Sequence, residues 1–443
     1  MTQCFHFYCL YLNKHIFLGG KKMIERLEEK QARKAQASPV NKNLLLFFLL
    51  IFIGAALVLI PSFNHNVATG ISTINSEAST SGGLTSQFST IYDTLKYNRS
   101  IDILAMLLVG FGFLMVFVRN HGYSSITATF LVVSIAIPMY VVIKSFGGEG
   151  FSKNTLSIDT LLFAEFAAAS LLIAIGAPLG RLKMDQYIAM GLLFVPAYIF
   201  NEWLILESGL FTGFLDTGGS IVIHAFGAYF GLGVIANTLS KFKDDPVCEN
   251  SPMSNQFSLI GSMVLWLFWP SFTSAIVAPE RVVLTSINTI FALCGATFAT
   301  YVFSKIIRGK IEIEDIANAA LAGGVAIGST CDMTTPGYAL LIGIAAGALS
   351  VIGYSIIAPK LEKLIKGTDT CGINNLHGMP GILGGVVAIF ITGRPMIQLL
   401  GIVSTVCVAF ICGKVVGSII SLLGKKEIPY SDEDEFILEE HIS

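Results

Sequence analysis

The chain has 443 residues, 53% of them hydrophobic and only 13% charged, and its 28 Lys and Arg against 30 Asp and Glu leave a net charge of −2. Soluble domains carry roughly twice that charged fraction, and a balance so near neutrality provides no field for nucleic acid or an acidic partner. The eight cysteines form no C-x-x-C pair and several lie within apolar segments, which argues against both a zinc site and a disulfide framework.

The first 20 residues are apolar, but His6, Asn13, Lys14 and His15 interrupt them, unlike a secretory signal. Residues 1–43 read as a basic cytosolic arm carrying Lys21, Lys22, Arg26, Lys30, Arg33, Lys34 and Lys42. From there the apolar blocks have the length that crosses a bilayer, about 20 residues. They predict twelve spans in a transmembrane domain of residues 44–423: 44–63, 101–118, 123–144, 158–178, 186–206, 219–239, 257–278, 284–307, 315–332, 337–357, 372–393 and 397–423. The spans are helical, because backbone groups in lipid must pair within the segment and these runs are too long for barrel strands.

Alternate connections are basic, with Arg119; Arg181 and Lys183; Lys241 and Lys243; Lys305, Arg308 and Lys310; Lys360, Lys363 and Lys366; and Lys425 and Lys426. This bias puts both termini in the cytosol. The first external loop, 64–100, is rich in Ser, Thr, Asn and Gly and contains one glycosylation acceptor tripeptide, Asn98-Arg99-Ser100. Residues 424–443 form an acidic cytosolic tail, SDEDEFILEE, whose composition reads as a solvated, disordered end.

An internal symmetry is visible. IHAFGAYFGLG surrounds His224 in the sixth span and NLHGMPGILGG surrounds His377 in the eleventh, with Gly231 and Gly384 both seven residues beyond the histidine. Five spans separate the two. An odd number per repeat reverses membrane orientation, so spans 2–6 and 7–11 can form an inverted pair with its site at the repeat interface, near the midplane.

Of seven histidines, His224 and His377 sit well within the apolar body. Charged residues at such depth cost about 2.5–3.5 kcal/mol on insertion scales. One such histidine reads as a core residue bonded to a neighbouring helix; two at matched places in a repeat point to a shared site. If they meet, desolvation and mutual repulsion both oppose protonation, and one proton is shared between imidazole nitrogens while the other nitrogens face a passing solute. No Cys or carboxylate stands at metal-ligand spacing from either. Asp216 lies eight residues before His224, where it can cap the helix start or make the outer mouth favourable for cations. Phe166 and Phe272, with Trp269-Pro270 just before the second, fall near the outer leaflet, where stacked rings can close a dry pore. The G-x-x-x-G pairs Gly227/Gly231 and Gly381/Gly385 permit close helix contact around the two histidines.

These residues carry a family likeness. DTGGSIVIHAFGAYFGLG from Asp216, LWLFWPSFTSAI from Leu265, NAALAGGVAIGSTCDM from Asn318, DTCGINNLHGMPGILGG from Asp369 and VGFGFLMVFVRNHGYSS from Val109 resemble the signatures of the Rh (Rhesus) branch of the ammonium transporters. The resemblance implies an all-α polytopic membrane protein of the ammonium-transporter fold, with an inverted five-helix repeat, assembling as a homotrimer in the plasma membrane with one pore per subunit. His224 and His377 resemble the pore's twin histidines, and Phe166 and Phe272 the outer gate. Asp216, Glu165 and Glu202 are similar to acidic positions of the outer vestibule that recruit ammonium, and Asp369 to the aspartate at the cytosolic mouth. Ammonium or ammonia is the implied substrate, with carbon dioxide as a second one, and neither cofactor nor metal is called for. The tryptophan that helps bind ammonium in bacterial and plant transporters has no identified counterpart, although Trp203 lies near; that puts high-affinity capture in doubt. Asp332 stands where Rh proteins commonly have glutamate.

The residues leave two other readings. A proton-coupled amine or solute carrier built on inverted repeats would accept larger substrates and depend on the proton gradient. A membrane enzyme or receptor using the histidine pair would hold a tightly bound metal or show turnover.

Overall fold

The computed structural model describes residues 83–118, 121–146, 157–236, 251–424 and 430–438. The basic arm, the expected span at 44–63, residues 64–82 of the external loop and loop cations such as Lys153, Lys241, Lys243 and Lys425 lie outside these. Within them the chain is helical, and each expected span from 101–118 onward coincides with a helix.

In chain order, α1 is Gly83–Ala105, continued by a π-helical stretch and a last short turn to Phe117; α2 is Gly122–Phe146; α3 is Ile158–Gly176; α4 is Met184–Glu202; and α5 is Ser220–Ile235. Then come α6, Pro252–Thr273; α7, Val282–Arg308; α8, broken into Ile313–Asn318, Ala319–Leu321, Ala322–Ile327 and Gly328–Thr330; α9, Pro336–Ile352; α10, Asn374–Thr392; and α11, Pro395–Ser421. Eight stretches among the described residues are long and apolar enough to cross a bilayer, and Ser220–Ile235 is a shorter apolar helix. This is an integral membrane protein.

The two repeats are α1–α5 and α6–α10. In each, the second helix packs on the third and fourth, α2 on α3 and α4, and α7 on α8 and α9. In each, the fourth helix passes into a π-helical stretch, Trp203–Glu207 and Gly353–Ile357. In each, the fifth begins with one, Ser220–Ala225 and Asn374–Gly378. The G-x-x-x-G glycines do what their spacing predicts: a Cβ on Gly227 would lie 2.5 Å from the Ser170 carbonyl, and one on Gly381 would lie 2.5 Å from the Ser220 carbonyl. Helix α11 stands outside the repeat and packs along α5 and α4.

Two expectations change. The external loop does not extend to residue 100, because α1 is already helical from Gly83. Its Ser, Thr and Asn content reads as loop, yet the polar groups are satisfied sideways: Lys96 Nζ meets Asp159 Oδ1 at 2.6 Å and Ser100 Oγ donates to Glu165 Oε1 at 2.5 Å. Asn98 is on the exposed side of this helix, while the hydroxyl of Ser100, the third residue of its tripeptide, is buried.

The acidic tail is also not a free solvated end over residues 430–438. A short helix, α12 (Asp432–Glu435), lies on the starts of α2 and α4. Asp432 accepts from the Tyr123 and Ser124 amides at 3.1 and 2.8 Å, Glu435 from the Met184 amide at 3.2 Å, and the Tyr430 amide donates to Gly180. The first amides of a helix have no partners within it and carry the positive end of its dipole, so carboxylates dock there. Composition alone misses this because the binding partners belong to other helices.

Under the tail lies His121, fully buried, with Asp432, the Tyr430 backbone and Asp434 facing it. Burial pushes its pKa down to about 4 against the pull of Asp432. The docked state therefore favours neutral His121. Its contribution to docking is complete above the free-histidine value, about 6.5, and is lost as pH falls from there towards 4. The protection of the Tyr123 and Ser124 amides, taken from their exchange rate relative to that of the unfolded chain at the same pH, should fall on acidification through this range, by at most about tenfold per pH unit, and His121→Phe should remove that dependence. Unchanged dependence in the variant would assign it to other groups.

Candidate functional site

The site is built where α5 and α10 cross, and each helix is prepared for it in the same way. Ahead of α5, Gly219 takes a left-handed backbone (φ 75°), and ahead of α10 Gly372 does the same (φ 65°). A side chain would be strained at either position, and a Cβ would meet Ile223 at 2.3 Å and Tyr354 at 2.2 Å respectively. An aspartate then caps each π-helical start. Asp216 accepts from the Ile221 and Val222 amides at 3.1 and 2.8 Å, and Asp369 from the Ile373 and Asn374 amides at 3.0 Å each. The spacing from aspartate to histidine is eight residues in both, Asp216 to His224 and Asp369 to His377. π-Helical turns redirect side chains and are frequent at functional sites. Here they turn two imidazoles towards each other.

His224 Nδ1 and His377 Nδ1 lie 3.3 Å apart, with the rings 5.4 Å between centroids and 8° from parallel. Each residue is only 3% exposed. A bond between two Nδ1 atoms requires one to carry the proton and the other to offer its lone pair. The two Nε2 atoms are then opposite in kind, one acceptor and one donor. The Nε2 of His224 is buried with no hydrogen-bond partner among the described residues.

Aromatic rings extend the histidine pair into a column. Phe166 and Phe272 meet at 4.8 Å, Phe272 lies 5.9 Å from His224, and Phe111 stacks on His377 at 6.3 Å. Trp269 stacks on His224 at 5.6 Å and 20°. Sequence reasoning noted Trp269 only as a neighbour of Phe272; the WPSF run, with the glycines of the broken α8, was the available signal, since Gly324 leaves the space that the indole fills. Trp203 is 46% exposed and outside this column. Beside His377 opens a cavity of about 20 Å³, lined mainly by apolar side chains including Phe111, Leu114, Leu172, Ile173 and Leu376. That is room for one molecule the size of water or ammonia.

The carboxylates are placed less simply. Glu165 is fully buried beside Phe166, one oxygen bonded to Ser100 and the other without a partner among the described residues. Glu202 is 3% exposed and sits between α2 and α4, accepting from Tyr140 at 2.6 Å and pairing with Lys144 at 3.3 Å. Asp216 is 9% exposed, and beyond its capping bonds it accepts from Ser329 of α8 at 2.5 Å. Asp332 is half-exposed and accepts from Thr217 at 2.8 Å. Among the described residues no group of three His, Cys, Asp or Glu side chains is placed to hold a metal ion.

A model of the Ammonium Transporter Family matches residues 68–441. The chain belongs to that family, in its Rh branch. It is 40% identical over 316 residues to the ammonium transporter Rh type B of Xenopus tropicalis, covering 68% of this chain and 67% of that protein. To the Danio rerio protein of the same name it is 39% identical over 301 residues, 66% of this chain and 64% of that one. The matched segment thus spans about two thirds of these relatives. Among solved structures, the Rh50 protein of Nitrosomonas europaea superposes with a TM-score of 0.75 at 51% identity, over 79% of this chain and 92% of that one. A sensor Amt protein matches at a TM-score of 0.63 and 22% identity, a likeness of fold. The all-α transporter architecture with its inverted repeat is thus the Rh fold, and the histidine pair lies at the interface between its halves.

Proposed function

We propose that this protein conducts ammonia. Ammonium gives up a proton at the outer mouth, neutral ammonia passes in single file over His224 and His377, and it is reprotonated on the cytosolic side near Asp369. The observation that supports this reading above all others is the 3.3 Å approach of two buried imidazoles beside a cavity sized for one small molecule. A dry passage cannot replace the hydration shell of an ion, and the described residues around the histidine pair form no ring of carbonyls or carboxylates to strip sodium or potassium of water. Ammonia can both donate and accept, so it fits a pair whose outer nitrogens are one donor and one acceptor.

In this reading Phe166 and Phe272 are the outer gate. Asp216, Glu165 and Glu202 are the acidic residues of the outer vestibule; each is buried, so none touches the arriving ammonium directly, and Asp332 is the carboxylate exposed enough to meet it. The chain assembles as a homotrimer in the plasma membrane, both termini cytosolic, with apolar faces carrying residues such as Phe298, Leu341 and Phe390 turned to lipid or neighbouring copies.

Stopped-flow recording of internal pH in proteoliposomes tests the proposal. An inward ammonia gradient should change pH faster than in protein-free vesicles, and a methylammonium gradient should act more slowly. Rates equal to bare lipid would reject ammonia conduction. Faster uptake of larger amines, driven by an imposed proton gradient, would favour the amine-carrier reading. A carbon dioxide gradient in the same vesicles tests a second neutral solute.

A further inference from the structure

The two gate phenylalanines are carried by α3 and α6, and the outer half of α1 lies between them with bonds to both. Towards α3, Lys96 pairs with Asp159 at 2.6 Å and Ser100 donates to Glu165 at 2.5 Å. Towards α6 and the loop after it, Tyr92 donates to the Val277 carbonyl at 2.8 Å and Asp102 accepts from Ser271 at 2.7 Å. The inner bond on each side holds the residue immediately before a gate ring: Glu165 precedes Phe166, and Ser271 precedes Phe272. Ser100 and Asp102 are two positions apart on a helix, about 200° around its axis. One side chain therefore points to each flank.

We infer that Ser100 and Asp102 of α1 are positioning residues that set the separation of the Phe166 and Phe272 rings, and with it the size limit for the entering amine. The inference rests on the reading of these two rings as a gate. Both bonds are local to the outer mouth, whereas the histidine pair lies beyond Phe272, 5.9 Å from its ring to that of His224. Loosening α1 therefore changes which molecule enters more than how ammonia crosses.

The ratio of methylammonium to ammonia permeability in proteoliposomes reads this directly. Asp102→Ala and Ser100→Ala should each raise the ratio, by about fivefold, the factor that one ordinary hydrogen bond sets. Asp102→Asn, whose side-chain oxygen still accepts from Ser271, should keep the wild-type ratio. Phe272→Ala should raise the ratio by itself, and adding Asp102→Ala to it should raise it no further. An unchanged ratio in Phe272→Ala would remove the gate and the inference together. A changed ratio in Phe272→Ala with none in Asp102→Ala or Ser100→Ala would overturn the positioning role alone. If Asp102→Ala does not yield folded protein, Ser100→Ala and the Asp102→Asn comparison carry the same decision.

Discussion

Replacing His224 by alanine slows the ammonia-driven pH change in proteoliposomes by about tenfold or more. The pair is a unit: His224 Nδ1 and His377 Nδ1 have each other at 3.3 Å, and both residues are out of water. Removing one imidazole leaves the other with an unmet polar atom in a dry site. In the proposed mechanism it also deprives the passing molecule of a hydrogen bond it cannot replace with solvent. One such bond left unmade costs about 1–3 kcal/mol, and 1.4 kcal/mol is the tenfold. His377→Ala has the same expected effect, and the double variant should be little worse than either single one, because the interaction is lost once. His121→Ala is the control, since His121 lies under the tail rather than in the column. Equal slowing by His224→Ala and His121→Ala would remove the pore assignment.

The second large effect is on folding. Gly384→Val and Gly231→Val should each destabilise the protein by about 3 kcal/mol or more, at the upper end for overpacking a full core. A Cβ on Gly384 would lie 2.4 Å from the Ala326 carbonyl and 2.5 Å from Ser220 Oγ; one on Gly231 would lie 2.5 Å from the Ala174 carbonyl. The obstacles include main-chain atoms on neighbouring helices, which cannot swing aside as a flexible side chain does. Since α5 and α10 carry the histidines, any yielding of the packing also separates the rings. Thermal unfolding in detergent gives the measurement, with Gly337→Ala as the control because open space surrounds that position. A Gly384→Val protein that melts with the Gly337→Ala control would show that these helices tolerate a wider spacing.

Much of this was legible before any coordinates. The two histidines stood out because ionisable groups are costly in apolar segments. Their matched glycines gave away the repeat because only glycine allows such close approach. A further sign was available and unread: Asp216 and Asp369 each precede their histidine by eight residues. Elsewhere the signal was misleading. The polar residues of α1 resemble a loop until Lys96 and Ser100 are seen to be satisfied by α3. The acidic tail resembles a solvated end until its carboxylates are seen on the first amides of α2 and α4.

Sequence alone determined the properties that belong to a segment: which stretches cross the bilayer, that they are helical, which two imidazoles lie at depth and that the halves repeat. Hydrophobic length and the cost of burying a polar group act on each stretch separately. Tertiary structure alone decided which way each side chain faces. A helix that is apolar all round has no stripe to fix its rotation about its own axis. Whether Glu202 meets water or Lys144, and whether Trp203 or Trp269 reaches His224, therefore waits on how the helices pack.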